Sequence, residues 1–334
     1  MTGLRSLLSI LGQQGARGMS VALCIGAFVP VIYPGSGAAL RPGLPLMIAV
    51  FLVNAFARLE AGHAKRIAAR PLKLLSATCW AVFVIPFLFW AALTTLGRDR
   101  FDPGLVLALS LQAGAAPIMA TPAIAVVLDI EVTFSVLLLL ATMTIQPFTA
   151  PLLVSWVAGT AVPIDSIVLG RNLFVMIGGS ALVAAGLRRW LGHARLEAYR
   201  HELAGTNLLV FTLFALAMFD GVALRIVAEP FLLLGLSAVA FIIALGSIGT
   251  AMLVLRAIGA DEAFITGFAT GHRNVGLMAA AQSGSLPELT WLYFALVQLP
   301  VYLTPQIILA LVAAKRSLAN RAKAPGREGD SRQE

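Results

Sequence analysis

Phe268-Ala269-Thr270-Gly271-His272-Arg273-Asn274-Val275-Gly276-Leu277 sets an arginine, a histidine and two glycines inside a segment that otherwise reads as membrane-buried. An ionisable side chain inside a bilayer is costly and marks a ligand or ion path by default. The flanking glycines predict a broken helix, which at membrane depth is tolerated where it lines a cavity or is covered by protein. The stretch therefore reads as one half of a transport site. The plainer reading is a short re-entrant turn whose arginine ties neighbouring helices together.

The rest of the chain supports a membrane setting. Of 334 residues, 59% are hydrophobic and only 12% charged, against about 25% charged in soluble domains. Mean hydropathy is +0.89. The apolar stretches are long and continuous, which favours helices over the ten-residue alternation of a barrel. Cys24 and Cys79 sit within apolar spans and form no metal or disulfide pattern. The net charge of +8 collects in particular loops and in the tail, as membrane topology requires, which argues against a nucleic-acid partner. The run after Arg17 lacks a small-residue cleavage site and reads as a retained span.

Ten hydrophobic segments can be drawn: Met19–Tyr33, Pro42–Arg58, Leu74–Leu96, Leu105–Leu128, Phe134–Ala158, Ser166–Leu187, Thr206–Val227, Phe231–Leu255, Ala263–Ser283 and Leu286–Ala314. Arg5, Arg17, the Arg58/Lys65/Arg66/Arg70/Lys73 loop, the Arg188/Arg189/Arg195/Arg200 loop, Arg256 and the tail fall on one side. Arg41, Arg98, Arg100, Arg171 and Arg225 fall on the other. Both termini are then cytoplasmic, and the expected home is the plasma (inner) membrane. Asp220 and Arg225 near the end of the seventh segment read as an ion pair or as groups at a cavity mouth. His63, His193 and His201 read as solvated loop residues.

Ten spans divide into two sets of five running in opposite directions. The fourth is interrupted by Gly114, Pro117 and Pro122, the ninth by Gly271 and Gly276. Pro122 and Asn274 are 152 residues apart, and Pro151 and Pro305 are 154 apart, so one offset nearly fits both. Interrupted helices at matching positions point to a transporter's binding site. The expected fold is an all-α integral membrane protein of ten transmembrane helices in two inverted five-helix repeats, with helices four and nine broken and crossing. Its parts are an N-terminal cytoplasmic segment (1–18), a first repeat (19–160), a second repeat (161–314) and a polar, disordered cytoplasmic tail (315–334).

The run Phe56-Ala57-Arg58 through Arg70-Pro71, the span with Pro86, Thr121-Pro122 through Ser135, and Gly271-His272-Arg273-Asn274-Val275-Gly276-Leu277 together resemble the bile acid:sodium symporter superfamily, as a divergent member, over about residues 20 to 313. The resemblance implies a panel and a core domain, two crossing broken helices, and organic anions as cargo, usually driven by sodium. Where that family holds sodium with a glutamate and a glutamine in the ninth helix, this chain has Ala269 and Arg273. A third-helix glutamine falls at Ala81, the fourth-helix Ser-Asn pair at Thr121-Pro122, and a second hydroxyl position at Leu139; Ser135 matches a family serine. On this resemblance Thr121, Ser135 and Thr270 would be the remnant of an ion site, where a guanidinium would repel a second cation by about 4 kcal/mol at 4 Å and an effective dielectric of 20.

These residues predict a secondary transporter for a small organic anion, with no cofactor and no metal site and with sodium coupling disfavoured. Its binding residues are expected to be Arg273, His272, Asn274, Thr270, Thr121 and Pro122. The guanidinium fork matches a carboxylate, the amides near Asn274–Gly276 add partial positive charge, and His272 is a candidate proton carrier. Two other readings stay open: a conventional sodium-coupled symporter, and a membrane sensor or binding protein on the same fold. No HExxH, GxSxG, P-loop or paired-carboxylate pattern supports an enzyme.

Overall fold

The computed structural model describes residues 2–58, 71–128, 130, 132–160, 162, 164–282 and 286–323. His63, the basic run at Lys65, Arg66 and Arg70, Asp129, Glu131 and the tail beyond 323 lie outside the described residues, as does the His193 side chain. The helices are α1 (Thr2–Gln13), α2 (Gly15–Ile32), α3 (Ser36–Leu40), α4 (Leu44–Ala57), α5 (Pro71–Leu96, in three registers), α6 (Pro103–Gly114), α7 (Thr121–Val127) and α8 (Val132–Ala158). They continue as α9 (Ser166–Leu191), α10 (His193–Ala198), α11 (Arg200–Phe219), α12 (Val222–Ala228), α13 (Pro230–Val254), α14 (Ala260–Gly271), α15 (Val275–Ala281) and α16 (Glu288–Lys323).

The protein is an all-α membrane protein. Among the described residues, seven stretches are long and apolar enough to cross a bilayer, and the pair Gly3–Gln13 and Gly18–Ile32, bent by 97°, makes eight if counted as one span. The segments drawn at Leu105–Leu128 and Ala263–Ser283 are not continuous helices. The first is α6 and α7 with 115–120 non-helical between them, and the second is α14 and α15 with a break at 272–274.

Prolines explain the irregular places. Within α5, Trp80–Val84 is π-helical, and the Ile85 amide reaches back to the Trp80 carbonyl. That register would pair the Ala81 carbonyl with residue 86, but Pro86 has no N–H to give. In α6 the Ala113 carbonyl would be met by residue 117, again a proline. Both carbonyls are therefore left without a partner inside their own helix.

Close helix contacts rest on glycine. A Cβ at Gly267 would stand 2.6 Å from the Ile248 Cα, and one at Gly271 2.5 Å from the Ala244 oxygen. Small residues four apart thus let α14 lie against the α13 backbone, as small-xxx-small faces do in membranes. Gly276 sits under the Phe214 ring of α11 and the Ile48 side chain of α4. Asn54 donates to Asn207 at 2.6 Å, tying α4 to α11.

Two expectations need correction. The last apolar span ends at Leu311, near the drawn Ala314, but the stretch expected to be disordered from 315 is helical as far as Lys323, because Ala, Lys, Arg and Leu favour helix and no breaker intervenes before Pro325-Gly326. Asp220 and Arg225 do not pair. Gly221, at φ +79°, turns the chain between them. Asp220 accepts from the Ala38 amide at 3.1 Å, while Arg225 reaches Glu229 at 3.3 Å and Glu288 at 2.5 Å.

Candidate functional site

The two helix breaks meet. Residues 117 and 273 form an isolated antiparallel bridge, with the Ile118 amide donating to the His272 oxygen at 2.9 Å and the Asn274 amide to the Ala116 oxygen at 2.8 Å. Because the Asn274 amide is spent across the crossing, the Thr270 carbonyl, its usual helical partner, is released.

Arg273 collects the carbonyls that these breaks set free. Its Nε donates to the Thr270 oxygen at 3.0 Å, one terminal nitrogen to Ala113 and Ala115 at 2.6 Å each, and the other to Ala81 at 2.6 Å. The side chain is 3% exposed. Among the described residues no carboxylate lies within ion-pair distance of it. The guanidinium is held as a bare cation would be, by a cage of backbone oxygens from α5, α6, the break after α6 and α14. Four of its five N–H groups are used, so the two-pronged grip on a carboxylate expected from the fork is not open in this arrangement.

His272 is fully buried and stacks on Phe268, ring centres 4.1 Å apart. Its Nδ1 lies 2.9 Å from the Phe268 oxygen and its Nε2 3.2 Å from the Pro300 oxygen of α16. Both oxygens only accept, so a neutral ring donates to one of them and an imidazolium to both.

Asn274 is the N-cap of α15, its side-chain oxygen accepting from the Leu277 amide at 3.0 Å. The Val275 amide is likewise turned back, onto the Arg273 oxygen at 2.9 Å. The amides expected to receive an anion here are thus partly used within the chain, and α15 is only seven residues long. Asn274→Ala should lower stability by about 1 kcal/mol, the usual value of such a cap, read as a small fall in melting temperature of the purified protein.

The remaining expected residues are not gathered into one ligand set by hydrogen bonds. Thr270 donates back to the Thr266 oxygen at 2.8 Å, Thr121 to Ile118 at 2.8 Å and Ser135 to Val132 at 2.7 Å, each satisfied on its own turn. Pro122 occupies the first turn of α7. Sequence reasoning missed the cage oxygens of Ala81, Ala113 and Ala115, because backbone groups leave no side-chain signature. The available signal was Pro86 five residues after the first and Pro117 four after the second. It also gave no role to Gln146. Gln146 lines the same small cleft as Arg273, its amide nitrogen is 3.2 Å from the Met278 sulfur, and its buried Oε1 has no partner among the described residues.

No model of a known protein family matches the chain, and a search of curated proteins finds no match.

Proposed function

We propose that the protein is a secondary transporter that moves a small organic anion by alternating access, with the Arg273 guanidinium standing where a coupling cation would otherwise be held. The observation that carries this reading is the cage: four carbonyls released by two helix breaks and a proline-shifted turn, converging on one buried cation with no carboxylate partner among the described residues. A fixed positive charge at membrane depth favours an anionic ligand. The spare guanidinium N–H, with His272, Asn274, Thr270, Thr121 and Pro122 around the two breaks, is where that anion is expected to dock.

Ten spans in two inverted repeats suit this reading. Helices starting at Leu44, Pro71, Pro103, Thr121 and Val132 recur, in order, at Arg200, Pro230, Ala260, Val275 and Glu288, always 154 to 159 residues later. The resemblance to the bile acid:sodium symporter superfamily supports the same architecture, and the bias of lysine and arginine favours both termini on the cytoplasmic face of the inner membrane.

Uptake of labelled small mono- and dicarboxylates into proteoliposomes, with sodium and pH gradients imposed separately, tests the proposal. Flux should be indifferent to replacing sodium with choline. A steep sodium requirement that disappears in Thr121→Val or Ser135→Ala would establish conventional sodium symport instead. Saturable binding without flux would make the protein a sensor on this fold.

A further inference from the structure

The N-terminal helix α1 presents an apolar face that no other part of the described chain covers. Leu4, Leu7 and Ile10 recur at intervals of three and are 65%, 51% and 54% exposed. A different side of α1 is packed: Gly12 meets the His201 backbone and Gly205 meets the Leu8 backbone so closely that a methyl at either glycine would overlap its neighbour. The helix is bent by 97° from the one that follows. It is therefore fixed against the first turns of α11 at a steep angle to α2.

The surroundings are basic and aromatic. The Arg5 guanidinium lies 4.6 Å over the Tyr199 ring, which joins α10 to α11. One connection away, Trp190 is 79% exposed, and Arg189, Arg195 and Arg200 are exposed too, with Glu197 the acidic neighbour, 3.5 Å from Arg200. A helix with one apolar face and a basic rim, beside an exposed tryptophan, matches the chemistry of a bilayer interface with anionic headgroups.

We propose that α1 is an interfacial helix: Leu4, Leu7 and Ile10 enter the acyl region, while Arg5, Arg189, Arg195 and Arg200 engage anionic lipid headgroups. The inference depends on the protein being a membrane protein and not on what it transports. Lipid contact would hold α11 at its first turns, and the same helix places Phe214 over Gly276 at the crossing.

The test uses the full chain in nanodiscs of phosphatidylcholine with or without phosphatidylglycerol. Spin labels are placed singly by Leu4→Cys, Leu7→Cys and Ile10→Cys in a Cys24→Ser/Cys79→Ser background, with Ser6→Cys and Gln13→Cys as controls. Oxygen should relax the labels at 4, 7 and 10 more than a water-soluble nickel chelate does, with the order reversed at 6 and 13. Phosphatidylglycerol should deepen the first three positions, and the triple variant Arg5→Gln/Arg189→Gln/Arg195→Gln should lose that shift. Fluorescence of native Trp190, isolated by subtracting Trp190→Phe, should be quenched by brominated lipid, which checks the surface without altering α1. Chelate access at 7 and 10 would overturn the proposal. So would dipolar broadening between labels, which would assign the face to a second copy, or a depth indifferent to lipid charge.

Discussion

Arg273→Ala is expected to cost the protein most of its stability and, under the proposed transport function, all of its flux. The substitution strands four buried carbonyls at the crossing. A buried polar group left without a partner costs about 1–3 kcal/mol, so the sum is on the order of the 5–15 kcal/mol that holds a typical domain folded. The melting temperature in detergent should fall steeply. Arg273→Lys should lie between, because an ammonium keeps the charge but has three donors on a compact head and cannot span oxygens supplied by three helices. Arg273→Gln separates charge from hydrogen bonding: it keeps an amide donor and no charge, and should fall nearer to alanine. Methylguanidinium added to Arg273→Ala should restore part of the lost stability by refilling the cage, and should leave the wild type unchanged. An alanine variant that melts and transports as the wild type does would show that the oxygens find other partners, and the tethered-cation reading would be lost.

How much of this was legible in the sequence depends on where the signal resides. The break at Phe268–Leu277 was visible because glycine, histidine, arginine and asparagine interrupt an apolar run. Its meeting with 115–120 followed from matched interruptions on the two halves, and the structure joins the two breaks through residues 117 and 273. The partner of Arg273 was not visible. It is a set of backbone oxygens, one of them 192 residues away in the chain, and a carbonyl's availability depends on what its own helix fails to supply. The prolines that free Ala81 and Ala113 could be read as helix irregularities, but not as the makers of a cation cage. Local geometry misled elsewhere: Asp220 and Arg225 are close in sequence, yet one glycine turn sends them to different neighbours. At the last helix the error ran the other way. Charge in Lys315–Lys323 suggested a disordered tail, whereas the same residues have high helix propensity and extend α16.

Gly271→Ala should be the second most damaging change, and it differs in kind from a loss of bonding. The added methyl would stand 2.5 Å from the Ala244 oxygen and 3.0 Å from its Cα, both backbone atoms of α13. Neither can swing aside as a side chain can, so α14 must lift from α13 and carry the neighbouring Arg273 with it. Overpacking alone costs about 1–3 kcal/mol; loosening the cage adds to it, so flux should be lost even where the protein remains folded. Gly276→Ala provides the contrast. Its methyl would meet the Phe214 ring at 2.8 and 2.9 Å, an obstacle made of side chain, and Phe214→Leu should relieve it. The pair of measurements is therefore decisive about mechanism: Gly276→Ala recovers stability and flux in the Phe214→Leu background, and Gly271→Ala recovers neither under truncation of any neighbouring side chain. A Gly271→Ala protein with normal melting and flux would mean that α13 and α14 stand further apart than this packing allows, and that Arg273 is not held in place by the glycine face behind it.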